Sequence, residues 1–511
     1  MGAVLGTLLG ALMVAGCTTG PSVRPAVVDN DGGATTPAPP SSAPVPLPPL
    51  TAPRGASLRW TDCDADTRAR LGSPAVTTSV HFTCARMTTQ LDAPDDTQNL
   101  LARILVLKAG TGPIPLVVVN DVDGEPGSLY AARLAARLPP AFLQKFSLIG
   151  VDRRGTGLSG GVQCVPPEAR DALLGADPEQ GSLGDVLDAA RRAGQQCAID
   201  LDTAMTALDS WRTAGDLEQL RQDLGEPRLN ALGRGDGSKV LSEYAVRFPK
   251  QVGRMVLDGL PDPGQDRAAV LDAVAAGAQA TFDAFATDCA ARGCALGDPK
   301  AALKQITDRL RTSPVTTPDG VTVSPGVATY AVYLGLADRT RWPELADALS
   351  SARTGDLTAL EAFTDPVLTD SQGRASRIGG TIATRCNDSA TRLPADQIDK
   401  VAQDMRTKYP QFGAAVAQEL AWCGPWPVRR EPLPAAGAPG APPILVAATA
   451  ADPVTPAVGT TRAADQMPSA VTITWQGSGH GAVGQSPCVT AAAQAFLIDG
   501  KVPTDGTLCP A

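Results

Sequence analysis

Short β-branched runs, separated by helical stretches, recur along this chain and limit the folds that it can adopt. The runs are ILVLKAG from Ile104, PLVVVND from Pro115, FSLIGVD from Phe146, RLNALG from Arg228, GRMVLDG from Gly253, PPILVAAT from Pro442 and AVTITWQG from Ala470. Strands that alternate with helices form parallel sheets, because each crossover helix packs on a face of the sheet. The pattern therefore predicts an α/β fold with a mostly parallel sheet flanked by helices.

The pattern changes between about Pro263 and Arg385, where Ala- and Leu-rich helical segments replace the strand-like runs. Strand-like runs resume at Pro442, which favours a helical cap inserted into the sheet over a separate helical domain. We therefore predict a first part of the core at 57–262, a helical cap at 263–385 and a C-terminal part of the core at 386–511.

The N-terminus predicts export. An apolar run, MGAVLGTLLGALMVAG, ends at Cys17 and is shorter than the roughly 20 residues that cross a membrane. It is typical of a lipoprotein signal peptide, residues 1–17, although an ordinary signal peptide with a free Cys17 remains an alternative. Residues 18–56 are rich in Pro, Ser and Thr and are predicted to be a tether. We expect a bacterial lipoprotein anchored on the outer face of the cell membrane through a lipid on Cys17.

The cysteine count supports an oxidising compartment. The chain has 11 cysteines, so ten remain beyond Cys17. They follow one another as Cys63 and Cys84, Cys164 and Cys197, Cys289 and Cys294, Cys386 and Cys423, and Cys488 and Cys509. This clustering suggests five disulfides between sequence neighbours, without fixing the connectivity. A zinc site is disfavoured, because the chain has 2 histidines and no CxxC pair.

Charge bounds the partners. The formal net charge is −9, and no long basic run is present, which argues against nucleic acid as a partner. Nothing in the sequence indicates a cofactor or a metal site.

A glycine-rich turn comes after the fourth strand-like run. It reads Gly233-Arg234-Gly235-Asp236-Gly237 and leads into the helical segment KVLSEYAVRFP. It fits the G-x-S-x-G nucleophile elbow at every fixed position except the centre, where Gly235 stands in place of serine. Such an elbow needs small flanking residues because the turn is tightly packed. A phosphate loop or a plain turn has a similar string, so the assignment depends on residues nearer the C-terminus.

An aspartate and a histidine follow the last two strand-like runs. Asp452 lies in TAADPVTP and His480 in QGSGHGA. Elbow, acid and then histidine is the chain order of an α/β-hydrolase triad, so we predict Asp452 as the orienting acid and His480 as the base. Asp452 as a simple turn residue is the alternative. The other histidine, His81, lies in the alternating segment TTSVHFTC and is predicted to be half-buried and structural.

With these features in place, a family resemblance becomes specific. The segments LGEPRLNALGRGDG, YAVRFPKQVGRMVLDGLPDP, FSLIGVDRRGTGLSG, ATAADPVTP and GSGHG resemble exported tripeptidyl-aminopeptidase-like proteases of the α/β-hydrolase superfamily. The resemblance covers nearly all the chain beyond about Ser57. It implies an elbow serine that attacks a peptide carbonyl, and substrates that are peptides with free N-termini or related esters and amides. By position, it assigns the base to His480 and its acid to Asp452.

Two departures from that family argue against activity. Gly235 has no Oγ, so the acyl-enzyme route lacks its nucleophile. The family also has an NPGGPG-like loop that supplies an oxyanion N–H, whereas residues 120–127 here read NDVDGEPG, with Gly124 as the candidate donor. The second donor would be the N–H of Asp236. The carboxylate of this residue adds a negative charge to the three carboxylates of the loop, which disfavours an anionic intermediate.

The sequence therefore predicts a catalytically impaired lipoprotein that binds a peptide or a partner in the cleft that forms the active site of active family members. The alternative is an active peptidase or esterase that uses His480 and Asp452 with either Ser238 or an activated water. Ser238 fits better as a residue of the helix's first turn, where hydroxyls commonly cap backbone N–H groups. A Gly235→Ser variant that gained labelling by a serine probe would show that the acid–base pair is intact.

Overall fold

The computed structural model describes residues 46–511 apart from 73–79, 95–98, 124, 181, 319, 369–376 and 429–436. The predicted signal peptide, Cys17 and the tether up to residue 45 lie outside the described residues. The last part of the predicted tether lies against the domain, because Arg254 Nε donates to the carbonyl oxygen of Pro48 over 3.1 Å. The backbone N–H of Arg54 likewise donates to the carbonyl of Gly225.

The described residues form twelve strands. They are β1 (Thr61–Asp62), β2 (Phe82–Gln90), β3 (Leu101–Ala109), β4 (Ile114–Val119), β5 (Phe146–Val151), β6 (Leu229–Arg234), β7 (Val252–Asp258), β8 (Val315–Thr316), β9 (Thr322–Val323), β10 (Ile444–Ala451), β11 (Ala470–Ser478) and β12 (Thr507–Cys509). Ten of them form one sheet in the order β1-β2-β3-β5-β4-β6-β7-β10-β11-β12. Pairing is antiparallel from β1 to β5 and parallel from there to β12. The predicted α/β-hydrolase fold is confirmed, and each of the seven predicted runs forms a strand of this sheet.

Helices cover both faces of the sheet and build the cap. They are α1 (Asp64–Leu71), α2 (Gly127–Arg137), α3 (Pro140–Lys145), α4 (Pro167–Arg170), α5 (Gly184–Leu201), α6 (Ser210–Asp223), α7 (Asp236–Arg247), α8 (Arg267–Arg292), α9 (Pro299–Thr312), α10 (Pro325–Leu336), α11 (Trp342–Thr354), α12 (Thr358–Glu361), α13 (Asp365–Leu368), α14 (Ile378–Asn387), α15 (Ala395–Lys408), α16 (Gly413–Cys423), α17 (Ala457–Asp465) and α18 (Pro487–Gln494). None of these described helices is both long and apolar enough to cross a membrane.

The sheet is buried on both faces. Because successive side chains of a strand point to opposite sides, neighbouring residues pack into different hydrophobic clusters. In β3, Leu107 packs into one hydrophobic cluster and its neighbour Val106 into another. The same alternation holds in β4, where Val118 and Val117 belong to the two different clusters. Two buried faces explain why these strands read as continuous apolar runs in the sequence.

The cap has a hydrophobic core of its own, which extends beyond the predicted boundaries. One cluster of buried residues joins α8–α16 to the segment 162–208, which holds α4 and α5. Its aromatic centre includes Phe285 with its ring 5.7 Å from that of Trp342. The hydrophobic cluster of the cap therefore continues past the predicted boundary at Arg385 to Trp426. Apolar periodicity shows that a helix has a buried face but not which layer buries it, so the pattern could not place this boundary.

Five disulfides join cysteines that are neighbours in the sequence. They are Cys63–Cys84, Cys164–Cys197, Cys289–Cys294, Cys386–Cys423 and Cys488–Cys509. Three of the five lie within the cap, and the last ties α18 to the edge strand β12. Cross-links of this kind restrict the unfolded chain and typically stabilise by about 2–4 kcal/mol each.

Candidate active site

The predicted site residues meet at the carboxyl ends of the parallel strands, where ligands bind in open α/β sheets. Gly235 lies between β6 and α7, Asp452 follows β10 and His480 follows β11. The structure thus brings together three residues that are far apart in the sequence.

The turn at Gly235 has the geometry of a nucleophile elbow. Gly235 has φ +54° and ψ −122°, a backbone conformation that residues with a Cβ rarely adopt. A Cβ at Gly233 would overlap the backbone of Ser238, and a Cβ at Gly237 would overlap the carbonyl of Val119. The flanking glycines are therefore required by close packing of the strand against the helix, whatever residue stands between them.

The acid and the histidine form an ordered, buried pair. His480 Nδ1 lies 3.0 Å from both carboxylate oxygens of Asp452. The backbone N–H groups of Val454 and Thr455 each donate to Asp452 Oδ1 over 2.8 Å, and the Thr455 hydroxyl donates to Oδ2 over 3.0 Å. These bonds fix the carboxylate, which in turn fixes the imidazole ring.

The nucleophile's place is taken by a side chain that the sequence did not point to. Asp121 follows β4, and its Oδ2 lies 2.8 Å from His480 Nε2. Its Oδ1 accepts the backbone N–H of Asp236 over 2.9 Å. A Cβ placed on Gly235 would overlap the Asp121 carboxylate. Asp121 therefore occupies both the volume of the missing serine side chain and the donor predicted to serve an oxyanion.

The charges of this triplet stabilise one another. Burial alone would lower the pKa of His480, but the negative charges of Asp452 and Asp121 outweigh it and raise that pKa to about 10. Burial likewise opposes ionisation of Asp121, but the charge and hydrogen bond of His480 lower its pKa to about 2. At neutral pH the imidazole is therefore protonated between two carboxylates. A protonated imidazole cannot accept a proton as a general base.

Asp236, on the first turn of α7, contributes a further acidic group. Burial raises the pKa of its carboxyl; Arg385 opposes this, and the charges of Asp121 and Asp123 add to it. Its Oδ2 is buried and has no hydrogen-bond partner among the described residues. The Asp236 backbone N–H, predicted to be an oxyanion donor, is engaged by Asp121. Gly124, the other predicted donor, lies outside the described residues.

Three carboxylates come close enough to share a metal ion. One oxygen from each of Asp121, Asp123 and Asp236 lies within 4.8 Å of the others. Two of the three already have a cationic partner, since Arg385 lies 2.6 Å from Asp123 and His480 contacts Asp121. These side chains supply the positive charge that a cation would otherwise provide.

Ser238 does not reach the site. Its side chain is fully buried in the first turn of α7, and its hydroxyl donates to the carbonyl oxygen of Asp258 over 3.3 Å. Its hydroxyl therefore faces the core. The space beside Gly235, where the alternative prediction places an activated water, is filled by the Asp121 carboxylate. His81, predicted to be half-buried, has about half of its side chain accessible, and its Nε2 lies 3.5 Å from Asp62.

A cavity of about 530 Å³ opens over the triplet, between the sheet and the cap. A volume of this size is in the range of small-molecule and peptide sites. Asp121, Arg234 and His480 line its floor, and its apolar wall consists of Leu334, Phe363, Val367, Val454 and Val483.

Comparison with known proteins identifies relatives over nearly the whole chain. The family described as "TAP-like protein" matches residues 409–509. Carboxylesterase B of Mycobacterium tuberculosis is 30% identical over 500 residues, covering 92% of each chain. Serine protease Hip1 of the same species is 29% identical, covering 89% of this chain and 91% of the relative. Tripeptidyl aminopeptidase of Streptomyces lividans is 28% identical over 71% of this chain and 70% of its own.

Proposed function

The chain belongs to the TAP-like family of α/β-hydrolases, which includes tripeptidyl aminopeptidases, and we propose that it is a non-hydrolytic member that binds a ligand in the cleft. The observation that carries the proposal is the Asp121 carboxylate in the place of the nucleophile. Hydrolysis by a serine nucleophile needs the serine hydroxyl, a neutral imidazole and free oxyanion donors. Here the hydroxyl is absent, the imidazole is protonated and the Asp236 N–H is occupied.

The magnitudes support loss of turnover rather than mere slowing. Removal of a triad nucleophile costs on the order of 10⁶ in kcat, and the residual rate enhancement relies on the oxyanion hole. Because Asp121 blocks the Asp236 N–H, that residual enhancement is reduced as well. A carboxylate in this position repels the negative charge that develops on a substrate oxygen.

Asp121 is a poor substitute nucleophile for peptides. Its attack on a peptide carbonyl would form a tetrahedral intermediate that expels the carboxylate more readily than the amine, because the carboxylate is by far the weaker base. Both Asp121 oxygens are also held, one by His480 and one by the backbone N–H of Asp236. The carboxylate therefore serves to neutralise the buried imidazolium.

The relatives favour a peptide as the ligand. Two of them are named as a protease and an aminopeptidase, and a third as a carboxylesterase, so a small ester or amide is the alternative ligand class. We place the protein outside the cell, held to the outer face of the membrane through a lipid on Cys17 and the adjoining tether. The apolar run before Cys17 and the even number of remaining cysteines support this location.

The test is activity-based labelling of the purified full-length chain. A fluorophosphonate probe should label no residue, and aminoacyl and acyl ester substrates should show no turnover above that of the His480→Ala variant. Labelling at Ser238, or turnover that His480→Ala abolishes, would refute the proposal.

A further inference from the structure

The carboxylates that line the cavity are all paired. Asp121 contacts His480, Asp123 contacts Arg385, Glu125 contacts Arg133, Asp338 contacts Arg137, and Glu344 contacts Arg341, each pair lying between 2.5 and 2.8 Å. An aminopeptidase site needs a carboxylate free to receive the ammonium group of a peptide's N-terminus. Within the described part of the lining, no carboxylate is free to do so.

Among the described residues that line the cavity, Arg234 is the cation that is not paired with a carboxylate. It ends β6, next to Gly235, and its guanidinium lines the floor of the cavity. Its Nη2 donates to the carbonyl oxygen of His480 over 3.0 Å. No carboxylate of the described residues lies within 4.0 Å of its nitrogens. The remaining N–H groups of Arg234 are therefore available to an acceptor that enters the cavity.

Tyr130 supplies a second donor beside it. The Tyr130 side chain, on α2, also lines the cavity, and the Arg234 guanidinium lies 5.7 Å from the centre of its ring. Its hydroxyl has no hydrogen-bond partner in the described structure, although only 9% of the residue is exposed. Burial raises the pKa of this hydroxyl, so it is protonated and can donate. Two unused donors side by side in a largely buried position indicate an acceptor with two oxygens.

We infer that Arg234 and Tyr130 form an anion subsite and that the cleft binds a peptide by its C-terminal carboxylate. This inference rests on the proposed function, in which the cleft holds a ligand without cleaving it. An arginine guanidinium matches the geometry of a carboxylate, and such charge-assisted hydrogen bonds are stronger than neutral ones. The cleft thus selects the opposite end of the peptide from the one that an aminopeptidase must recognise.

The cavity wall indicates which peptides fit. Leu334, Phe363 and Val367 of the cap line the same cavity as the subsite, together with Val454 and Val483 of the core. Side chains next to the bound carboxylate should therefore be apolar, because burial of apolar surface favours binding.

The experiment compares one apolar tripeptide, Phe-Leu-Leu, in four forms: free at both ends, N-acetylated, C-amidated and blocked at both ends. Binding to the full-length protein is measured by calorimetry at pH 7. Acetylation should change the dissociation constant by less than about 3-fold, whereas amidation should raise it by about 10-fold or more, as expected for the loss of a charged hydrogen bond. Decanoate, an apolar chain with a carboxylate, serves as a fifth probe.

Variants assign the effect to the subsite. Arg234→Gln should abolish the discrimination between free and amidated C-termini, and Arg234→Lys should restore part of it because the charge returns without the planar fork. Tyr130→Phe should weaken carboxylate binding about 3-fold while leaving the fold intact. The matched control is Arg341→Gln, which removes an arginine of the same cavity that is already paired with Glu344 and should leave discrimination unchanged.

The outcomes separate this inference from the proposed function. Affinity that follows the free N-terminus, or that survives Arg234→Gln, would overturn the anion subsite while leaving non-hydrolytic binding in place. If decanoate binds in a manner that depends on Arg234 and none of the peptides binds, a peptide is not the ligand. Absence of binding by all five probes overturns the inference as well. Cleavage of any of the peptides, in contrast, would contradict the proposed function itself.

Discussion

The two halves of the candidate active site differ in what they have kept. The half on β10 and β11 holds Asp452 and His480 in the arrangement of a catalytic acid and base. The half on β4 and β6 keeps the backbone of an elbow at Gly235, but the side chain in its centre comes from Asp121 on another loop. Elbow geometry therefore depends on the packing of its glycines and not on a nucleophile. A buried imidazole can also be satisfied by a second carboxylate.

The largest effect should come from rebuilding the altered half to match the retained one. Gly235→Ser alone should stay unlabelled by fluorophosphonate, because its Cβ would overlap the Asp121 carboxylate. Asp121→Ala combined with Gly235→Ser frees that space, the Asp236 N–H and the His480 ring. Because a triad nucleophile contributes on the order of 10⁶, we expect the double variant to exceed the single variant about 10³-fold or more in labelling rate.

Asp121→Ala alone is the control for the double variant, since it frees the site without adding a hydroxyl. Labelling of the Gly235→Ser single variant at the rate of the double variant would show that Asp121 does not block the site. This pair of variants therefore tests whether the missing serine alone prevents labelling or whether Asp121 does so as well.

A smaller effect concerns the charges that join the two halves. The folded-state pKa of His480, about 10, lies above its ordinary value of 6.5, so its stabilising contribution is complete below about pH 6.5 and is lost as pH rises through 10. Asp121→Asn removes one of the two carboxylates. We expect it to lower the free energy of unfolding by about 2 kcal/mol at pH 6, with the deficit shrinking towards pH 10. Denaturant unfolding at several pH values measures this.

Asp338→Asn is the matched control, because Asp338 lines the same cavity but pairs with Arg137 rather than with a histidine. Its deficit should be the same at pH 6 and pH 9. A constant deficit for Asp121→Asn as well would mean that the Asp121 carboxylate does not stabilise a protonated His480.

The smallest effect is expected at Ser238. Ser238→Ala removes only a hydrogen bond to the Asp258 carbonyl, so the free energy of unfolding should fall by about 1 kcal/mol or less. In the Asp121→Ala and Gly235→Ser background it should leave probe labelling unchanged. Loss of labelling with Ser238→Ala would place the reactive hydroxyl at Ser238 and reverse the account of the elbow.

Much of the fold could be predicted because its signals are local. Apolar runs mark strands buried on both faces, and the glycines around position 235 mark a tight turn before α7. The roles predicted for Asp452 and His480 also rested on local signals, because each residue follows directly after a strand-like run. The cap boundary could not be predicted, because the apolar face of α16 looks the same in sequence whether it packs on a sheet or on other cap helices.

The role of Asp121 could not be read from the sequence either. The loop after β4 was recognisably acidic, but Asp121 contacts Asp236 and His480, which are 115 and 359 positions further along the chain. Whether such a carboxylate points to solvent or into a vacant nucleophile site depends on loop conformation, which composition does not encode. One available signal was the pairing of two changes, a lost serine and a gained aspartate, in loops that meet at the same sheet edge.

The most direct test of the account is the protonation state of His480, measured by ¹⁵N-resolved NMR of the imidazole groups. The chain has 2 histidines, so a His81→Gln variant assigns the remaining signal to His480. We predict an imidazolium that keeps both ring protons at pH 8 and titrates near pH 10, and whose pKa falls in Asp121→Asn because one of its two carboxylate partners is lost. Titration of His480 near pH 6.5, unaffected by Asp121→Asn, would contradict the claim that Asp121 occupies the nucleophile's place.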